Sequence, residues 1–122
     1  MRIKSKMENK EDRVVGKHVF GEIYGFKELG PEELKKILLD AASIANMHVV
    51  EALVYEKPTI YGAIVLVEES HLAIHVYREY SYGMVDIYTC GEKSRPELAY
   101  DFVVEKLKPL RYTKNYADRS SL

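Results

Sequence analysis

Three apolar, β-rich runs that follow one another at short intervals limit the possible folds of this chain more than any other feature. The run Ile60–Val67 is almost continuously apolar, and Leu72–Tyr77 and Met84–Cys90 follow it after short polar segments. An apolar run of this length is typical of a central strand, and strands joined by such short connections run antiparallel. These runs therefore predict the middle of an antiparallel sheet.

Two helices and three further strands are predicted around this centre. From Gly30 to about Asn46, a proline and two glutamates are followed by apolar residues at helical spacing, which predicts a first helix. A capping-box pattern from Ser94 to Glu97 predicts the start of a second helix, which Pro109 ends. The further strands are predicted at Lys17–Tyr24, at His48–Tyr55 and, as an edge strand, at Arg111–Tyr116.

The predicted order of elements is β-α-β-β-β-β-α-β, with the two helices well separated. Two amphipathic helices of this kind cover one face of an antiparallel sheet. We therefore predict the α/β (α+β) class, as a two-layer sandwich with an antiparallel sheet and two helices on one face. Residues 1–13 are dense in Lys and Glu and predict a flexible N-terminal arm, and residues 14–122 are expected to form a single domain.

Composition excludes several classes of partner and location. The net charge is about −1 and no basic stripe interleaves with aromatic residues, so no nucleic-acid partner is predicted. The chain has one cysteine, Cys90, which cannot form an internal disulfide and indicates a reducing compartment. No apolar run approaches the roughly 18–20 residues of a membrane span, and no signal-peptide core is present. We expect a cytoplasmic protein without a membrane partner.

The residues that most suggest chemistry lie in E-E-S-H-L-A-I-H, which ends at His75, and in D-I-Y-T-C-G, which ends at Gly91. Each has an ordinary alternative: the serine as a turn residue, a histidine as a structural residue, and the cysteine as a small buried hydrophobe. His71, His75 and Cys90 could also be drawn as a metal site. No fourth ligand is apparent and Cys-rich signatures are missing, so no metal is predicted.

Together the two motifs resemble the signature of the pyruvoyl-dependent S-adenosylmethionine decarboxylase proenzymes of bacteria and archaea. In that family E-S-H-L-x-I-H is followed, about a dozen residues later, by D-[ILV]-[FY]-T-C-G, and the resemblance spans roughly Val15 to Tyr116. It implies self-cleavage between Glu69 and Ser70, giving chains 1–69 and 70–122. It further implies that Ser70 becomes a covalent pyruvoyl cofactor that binds the substrate amine as a Schiff base.

The resemblance also implies individual roles and an assembly. His75 matches the family histidine that accepts a proton during processing, and Cys90 matches the cysteine that donates a proton during catalysis. In a regular strand Ser70 and His75 would point to opposite faces, so we expect either a bend near Ser70 or a strand that begins after it. The implied assembly is a homodimer of two-chain protomers, with active sites at or near the interface.

The substrate pocket departs from the usual family sequence. The usual T-W-P-E is here V-Y-R-E, in which Tyr77 can stack on adenine and Glu79 can bind ribose hydroxyls. The usual Y-G-V-S-G is here I-Y-G-A, so Gly62 lacks a serine hydroxyl that assists processing in the family. Thr59 or Tyr61 are the expected replacements for that hydroxyl.

These departures leave the substrate open. S-adenosylmethionine, on the route to spermidine, is the predicted substrate. Arginine is the alternative, because the family includes crenarchaeal arginine decarboxylase proenzymes, and Glu56 or Asp86 could bind its guanidinium group. A further alternative is an unprocessed, non-catalytic ligand-binding paralogue on the same sandwich.

Overall fold

The computed structural model describes residues 14–121 as one seven-stranded sheet and two helices. The predicted arm at residues 1–13 lies outside the described residues. A single 3-10 turn, Arg78–Tyr80, joins the fourth strand to the fifth. In chain order the elements are β1 (Lys17–Tyr24), α1 (Pro31–Ile44), β2 (Val49–Glu56), β3 (Ile60–Val67), β4 (Ser70–Tyr77), β5 (Tyr82–Thr89), α2 (Pro96–Leu107), β6 (Arg111–Tyr112) and β7 (Asn115–Asp118).

Every paired strand in the sheet runs antiparallel to its neighbour. The strand order is β2-β3-β4-β5-β1-β6, and β7 pairs with β1 beside β6. The helix α1 packs on β2, β3 and β4, whereas α2 packs on β1 and β5 and against α1. Both helices therefore cover the same face, and the predicted two-layer sandwich is confirmed.

Strand alternation sends apolar side chains to the covered face, where they meet the helices. The helices contribute Leu34, Leu38 and Val103, all nearly or fully buried. The largest strand side chains in this core are Ile23, Tyr61, Val65, Leu72, Ile74, Val76, Val85 and Ile87. Burial of this apolar surface is the main stabilising contribution, at about 25 cal/mol per Å². Within residues 14–121, neither helix is long and apolar enough to cross a membrane.

The other face of the sheet, called here the open face, carries no helix and presents the polar residues of the two motifs. It includes His18 of β1 and Tyr55 of β2. It also includes His71, His75 and Tyr77 of β4, with Met84, Asp86 and Tyr88 of β5. The alternation that builds the core thus places the candidate site on the opposite side.

The structure differs from the sequence prediction at several element boundaries. Strand β5, predicted at Met84–Cys90, is observed at Tyr82–Thr89, so Cys90 follows the strand, and β2 is shifted by one residue to Val49–Glu56. Strand β4 begins at Ser70 rather than Leu72, so the strand includes the serine. The predicted capping box is wrong, because α2 begins without a side-chain cap. The Ser94 hydroxyl instead donates to the Gly91 carbonyl (2.8 Å) and closes the turn before the helix.

The C-terminal edge strand is divided in two. The predicted strand Arg111–Tyr116 is observed as β6 and β7, which pair with opposite ends of β1. Between them, the Thr113 carbonyl accepts a hydrogen bond from the buried Tyr100 hydroxyl (2.6 Å). The Thr113 carbonyl thus bonds to α2, whereas the Thr113 N–H donates to the Glu22 carbonyl of β1 (2.9 Å).

Candidate active site

Ser70 begins β4 in a backbone conformation that residues with a side chain rarely adopt. Its φ is 155°, and such outliers cost about 1–3 kcal/mol and persist only where surrounding contacts enforce them. The tight turn before it is held by a hydrogen bond from the Glu68 N–H to the His48 carbonyl (2.8 Å). Of the two expected alternatives, a departure from regular geometry at Ser70 itself is the one observed.

The carbonyl group of Glu69, which immediately precedes Ser70, accepts two hydrogen bonds from Cys90. The Cys90 N–H nitrogen lies 2.8 Å from the carbonyl oxygen, and the thiol sulfur lies 3.0 Å from it. Two donors on one carbonyl oxygen polarise the carbon and stabilise negative charge that develops on the oxygen. Cys90 is exposed, so it is not the small buried hydrophobe of the ordinary alternative.

The residues on either side of Cys90 fix it in this position. Strand pairing sets Ser70 opposite Thr89, which brings the next residue against Glu69. The buried Thr89 hydroxyl accepts the Gly91 N–H (3.0 Å). A Cβ at Gly91 would lie 2.7 Å from Cγ of Glu69, so only glycine admits this close approach. The T-C-G sequence is therefore what holds two donors on the Glu69 carbonyl.

The side chain of Glu69 is clamped by His48, which precedes β2. Its carboxylate accepts the His48 N–H (2.9 Å) and the His48 Nδ1–H (2.5 Å). Burial raises the pKa of the Glu69 carboxyl, but the two hydrogen bonds outweigh it and hold that pKa below its ordinary value. The side-chain hydrogen bond to Glu69 raises the pKa of His48. Both ends of Glu69 are thus fixed, one by His48 and the other by Cys90.

A chain of hydrogen bonds runs from Ser70 across the open face. Ser70 Oγ lies 3.1 Å from His71 Nδ1, His71 Nε2 lies 2.9 Å from Asp86 Oδ2, and Asp86 Oδ1 lies 2.6 Å from His18 Nε2. The hydrogen bond from His71 lowers the pKa of Asp86 against the effect of burial, and His18 lowers it further. Since an ionised carboxylate can only accept, both histidines donate to Asp86 from Nε2.

His75 lies at the other end of β4 and contacts Tyr55. The Tyr55 hydroxyl is 2.7 Å from His75 Nδ1, and the two residues stand on either side of Gly62 in the paired strands. A Cβ at Gly62 would lie 2.7 Å from the Tyr55 ring and 3.2 Å from His75 Nδ1. The hydroxyl beside His75 is therefore supplied by Tyr55. The expected replacement Tyr61 is buried on the covered face, and Thr59 lies exposed in the turn before β3.

Ser70 and His75 are not brought together within one chain. They are separated by five residues along the same strand, which corresponds to roughly 16 Å at the rise of an extended chain. The two residues also occupy positions on opposite faces of the strand, since His75 lies on the open face with His71. Within one described chain, the two side chains are therefore too far apart for direct contact.

The predicted substrate-binding residues fall into two groups. Tyr77 stacks near Tyr82 on the open face, with ring centroids 5.8 Å apart, and Tyr77 and Glu79 line one small cavity. Glu56 is engaged by Arg78, the residue that replaces the usual proline. Asp86 is engaged by the two histidines, so neither of the carboxylates expected to bind a guanidinium is free.

A cleft on the open face has a volume of about 450 Å³ and lies between the two ends of β4. Its lining includes His71, His75, Asp86, Met84, Phe20 and Glu22. The Glu22 carboxylate accepts the Thr113 hydroxyl (3.1 Å) and faces no cation in the ion pairs of residues 14–121. The cleft therefore contains a carboxylate that is available to a cationic ligand.

The three residues considered as a metal site do not converge. His71 contacts Asp86, His75 contacts Tyr55, and Cys90 contacts the Glu69 carbonyl. Within the described part of the chain, the ligand atoms that lie within 4.8 Å of one another belong to His48, Glu68 and Glu69. Two of these three already form an ion pair, so the cluster has an explanation without an ion.

Sequence reasoning missed three residues that lie near the predicted ones, His18, His48 and Glu22, and it did not foresee the contact of Tyr55 with His75. His18, His48 and Tyr55 lie outside the two motifs in sequence, and the fold brings them close. Glu22 lies on the same face of β1 as His18, because every second residue of a strand shares a face. This alternation could have predicted its place on the open face. His71 was in the motif but was considered only as a metal ligand.

The chain belongs to the S-adenosylmethionine decarboxylase family, whose sequence profile matches residues 17–120. This match covers most of the chain, and the two motifs described above lie within it. The fold and the motif-bearing open face thus define a member of a decarboxylase family.

Two proteins of known name are similar to the chain over most of its length. The arginine decarboxylase proenzyme of Caldivirga maquilingensis is 44% identical over 119 residues, which cover 91% of this chain and 88% of the relative. The crystal structure of the adenosylmethionine decarboxylase from Aquifex aeolicus superposes with a TM-score of 0.78 at 30% identity, covering 87% of this chain and 91% of that one. These two relatives are named for different substrates, arginine and S-adenosylmethionine.

Proposed function

We propose that this protein is the proenzyme of a pyruvoyl-dependent decarboxylase that cuts its own chain between Glu69 and Ser70. The observation that carries the proposal is the Glu69 carbonyl, which accepts both donors of Cys90 directly beside the strained Ser70. A carbonyl polarised in this way, next to a hydroxyl in a strained backbone, is what attack on a peptide bond requires.

The proposed cleavage uses only atoms of the protein until its last step, in which water enters. Ser70 Oγ attacks the Glu69 carbonyl carbon, and the C–N bond breaks to give an ester and a free amine. Removal of the Ser70 Cα proton expels the Glu69 carboxylate and leaves a dehydroalanine at residue 70. Water then replaces the nitrogen, ammonia leaves, and a pyruvoyl group remains at the new N-terminus.

In the mature protein, the pyruvoyl ketone would accept the electrons released as CO₂ leaves the substrate. Cys90 is the proposed donor that returns a proton to the substrate carbon, because its exposed thiol lies at the peptide bond where Ser70 stands. His75 is the proposed proton acceptor during processing. An imidazole is the side chain that most often accepts a proton in general base catalysis.

The assembly we propose is a homodimer of two-chain protomers, with active sites at the interface. Two observations support it: His75 cannot reach Ser70 in its own chain, and the open face exposes large apolar side chains around the cleft. Leu53, Ile64 and Leu66 on that face are 61%, 41% and 50% exposed. Molar mass by light scattering tests the proposal, and a monomer at working concentration would contradict it. A cytoplasmic location remains the prediction made from the sequence.

For the substrate, we propose arginine first and S-adenosylmethionine second. The relative named as an arginine decarboxylase proenzyme is 44% identical, against 30% for the adenosylmethionine decarboxylase structure. Arg78 also stands where adenosylmethionine decarboxylases of this family usually have proline. Both substrates are cationic, and Glu22 in the cleft is the carboxylate we assign to the positive group.

Release of CO₂ measured side by side with arginine and S-adenosylmethionine tests this assignment. We expect faster release from arginine, with agmatine as product, and a raised KM in Glu22→Gln with little change in kcat. Preference for S-adenosylmethionine would reverse the assignment without affecting the proposed self-cleavage.

The competing function is an unprocessed, non-catalytic ligand-binding module, and intact-mass analysis separates the two. We expect the purified protein to consist of chains 1–69 and 70–122, the second blocked at its N-terminus. Ser70→Ala is expected to stay intact and inactive. A wild-type chain that stays uncut after prolonged warming would refute the proposal.

A further inference from the structure

We propose that His71 is the base that removes the proton from Ser70 Oγ, and that Asp86 and His18 are positioning residues that hold it in the correct tautomer. This inference rests on the proposed self-cleavage and adds a catalytic residue to it. The family resemblance assigned a proton-handling role to His75 alone, whereas the hydrogen bonds of the open face lead from Ser70 to a different histidine.

The geometry fits a base in the same chain. Ser70 Oγ is 3.1 Å from His71 Nδ1, within the reach expected of a general base. Asp86 Oδ2, 2.9 Å from His71 Nε2, obliges that nitrogen to carry the hydrogen. The lone pair of a neutral imidazole is then on Nδ1 and faces the serine. The Ser-His-Asp order is that of the serine hydrolases, with the roles of the two ring nitrogens exchanged.

His18 completes the arrangement from the far side of Asp86. Its Nε2 lies 2.6 Å from Asp86 Oδ1, so each carboxylate oxygen has its own histidine donor. A carboxylate fixed at both oxygens cannot rotate away from His71. The three strands β4, β5 and β1 place the three side chains in register, since His71 pairs with Tyr88 and Tyr88 with His18.

His75 cannot replace His71 in this step within the same chain. It lies five residues along β4 from Ser70, and its Nδ1 is occupied by the Tyr55 hydroxyl at 2.7 Å. The cleavage needs two separate proton removals, from Ser70 Oγ and later from Ser70 Cα. We assign the first to His71 and leave the second to His75.

The proposed step conserves atoms and charge. His71 Nδ1 takes the proton from Ser70 Oγ while the oxygen bonds to the Glu69 carbonyl carbon, whose oxygen becomes an anion held by Cys90. The anion collapses, the C–N bond breaks, and the imidazolium returns its proton to the Ser70 nitrogen. The products are an ester and an amine, with His71 neutral again.

The test compares where cleavage stalls. We expect His71→Ala to cut itself about a thousandfold more slowly, as is typical for loss of a general base, and to stall as the original amide. His75→Ala is expected to stall later, as the ester. Hydroxylamine cuts esters and leaves amides intact, so it should split His75→Ala at residue 69 and leave His71→Ala whole, as judged by intact mass.

Two further measurements separate chemistry from folding. Added imidazole should partly restore cleavage in His71→Ala, which a folding defect would not allow, and thermal melting should remain cooperative. Asp86→Asn should slow cleavage, because an amide that donates to Nε2 leaves the hydrogen on Nδ1. Wild-type cleavage rates in His71→Ala, or ester accumulation in that variant, would overturn the inference. An uncut wild-type chain would instead overturn the proposed function.

Discussion

The two ends of strand β4 differ in what they find within their own chain. At the Ser70 end, Glu69, Cys90 and His71 surround one peptide bond at hydrogen-bond distances, and the backbone is strained there. At the His75 end, within residues 14–121, the imidazole hydrogen-bonds to the Tyr55 hydroxyl and lines the cleft. The Ser70 end therefore has polar groups around its own peptide bond, whereas the His75 end has a histidine at a distance from that bond.

The two ends of the short motif E-S-H-L-A-I-H therefore do not form one site. The distance along an extended strand divides it into a cleavage centre and a remote histidine. A two-fold partner would bring the second end of one chain to the first end of another, since the same surface is used on both copies. The division can be tested by asking which residues act in the same chain and which act across the interface.

The largest expected effect comes from mixing two inactive variants. Ser70→Ala and His75→Ala should each remain uncut alone. In mixed dimers, His75 of the first variant can serve Ser70 of the second, so only the His75→Ala chain should be cut. Mass spectrometry distinguishes the two chains by their substitutions. If verified mixed dimers stay entirely uncut, His75 does not act across the interface.

The next effect concerns Cys90, which belongs wholly to the Ser70 end. Cys90→Ala should still cleave, about tenfold more slowly, because the backbone N–H remains on the Glu69 carbonyl when the thiol is lost. Decarboxylation should fall further, by about a hundredfold, or place the proton wrongly, because the proton donor is absent. Single-turnover CO₂ release from fully cleaved protein measures the second effect. Normal turnover would refute the role assigned to Cys90.

At the His75 end, Tyr55→Phe should slow cleavage by about fivefold to tenfold. The variant removes one hydrogen bond, whose net value is about 1 kcal/mol, and leaves the ring over Gly62 in place. The time course of cleavage by intact mass measures it. Tyr116→Phe is the matched control, since Tyr116 is 60% exposed on β7 away from the cleft. Equal rates in both variants would mean that the Tyr55 hydroxyl has no part in orienting His75.

The smallest effect is a pH dependence of stability from the His48–Glu69 clamp. The raised pKa of His48 contributes stability below its ordinary value of 6.5, and this is lost as pH rises through the folded pKa. The lowered pKa of Glu69 contributes stability above its ordinary value of 4.5, which is lost as pH falls through the folded pKa. The clamp is therefore most stabilising between these two ordinary values.

His48→Asn should accordingly lower Tm more at about pH 5.5 than at about pH 8.5. Differential scanning calorimetry of the uncut Ser70→Ala background keeps cleavage out of the measurement. Lys36→Gln is the control, because it removes an exposed ion pair with Asp40 on α1, away from the clamp. The same Tm decrease at both pH values would show that the clamp acts without charge.

The covered face was predictable from sequence because local periodicity encodes it. The bounds of β1 and β3 agree with the prediction, since buried residues alternate along β1 and β3 is an almost continuous apolar run. The start of β4 was placed two residues late, because Ser70 and His71 are polar and face a strained turn and the open side. The division of the C-terminal strand falls where the Thr113 carbonyl bonds to Tyr100, a contact from another element that no local pattern encodes.

The candidate site was predictable in part. Ser70, Glu69 and Cys90 do meet, because strand pairing sets the ends of two consecutive strands opposite each other. The partners His18, His48 and Tyr55 could not be read from the motifs, since their closeness depends on sheet register over long sequence separations. Glu56 was expected to be free to bind substrate, but it pairs with Arg78. Arg78 was noted in the sequence only as the residue that replaces the usual proline, so this ion pair was not predicted.

The strand order has a consequence for a chain cut after Glu69. The first product would keep β1, α1, β2 and β3, yet β1 lies between β5 on one side and β6 and β7 on the other, all from the second product. The two polypeptides would thus be interleaved and could not separate without breaking the sheet on both sides of β1. Once unfolded, they would have to find each other in solution, at an entropic cost that the single precursor never meets. If the chain is cut as proposed, we therefore expect the uncut precursor to be the form that folds, and the separated, unfolded chains to reassemble poorly.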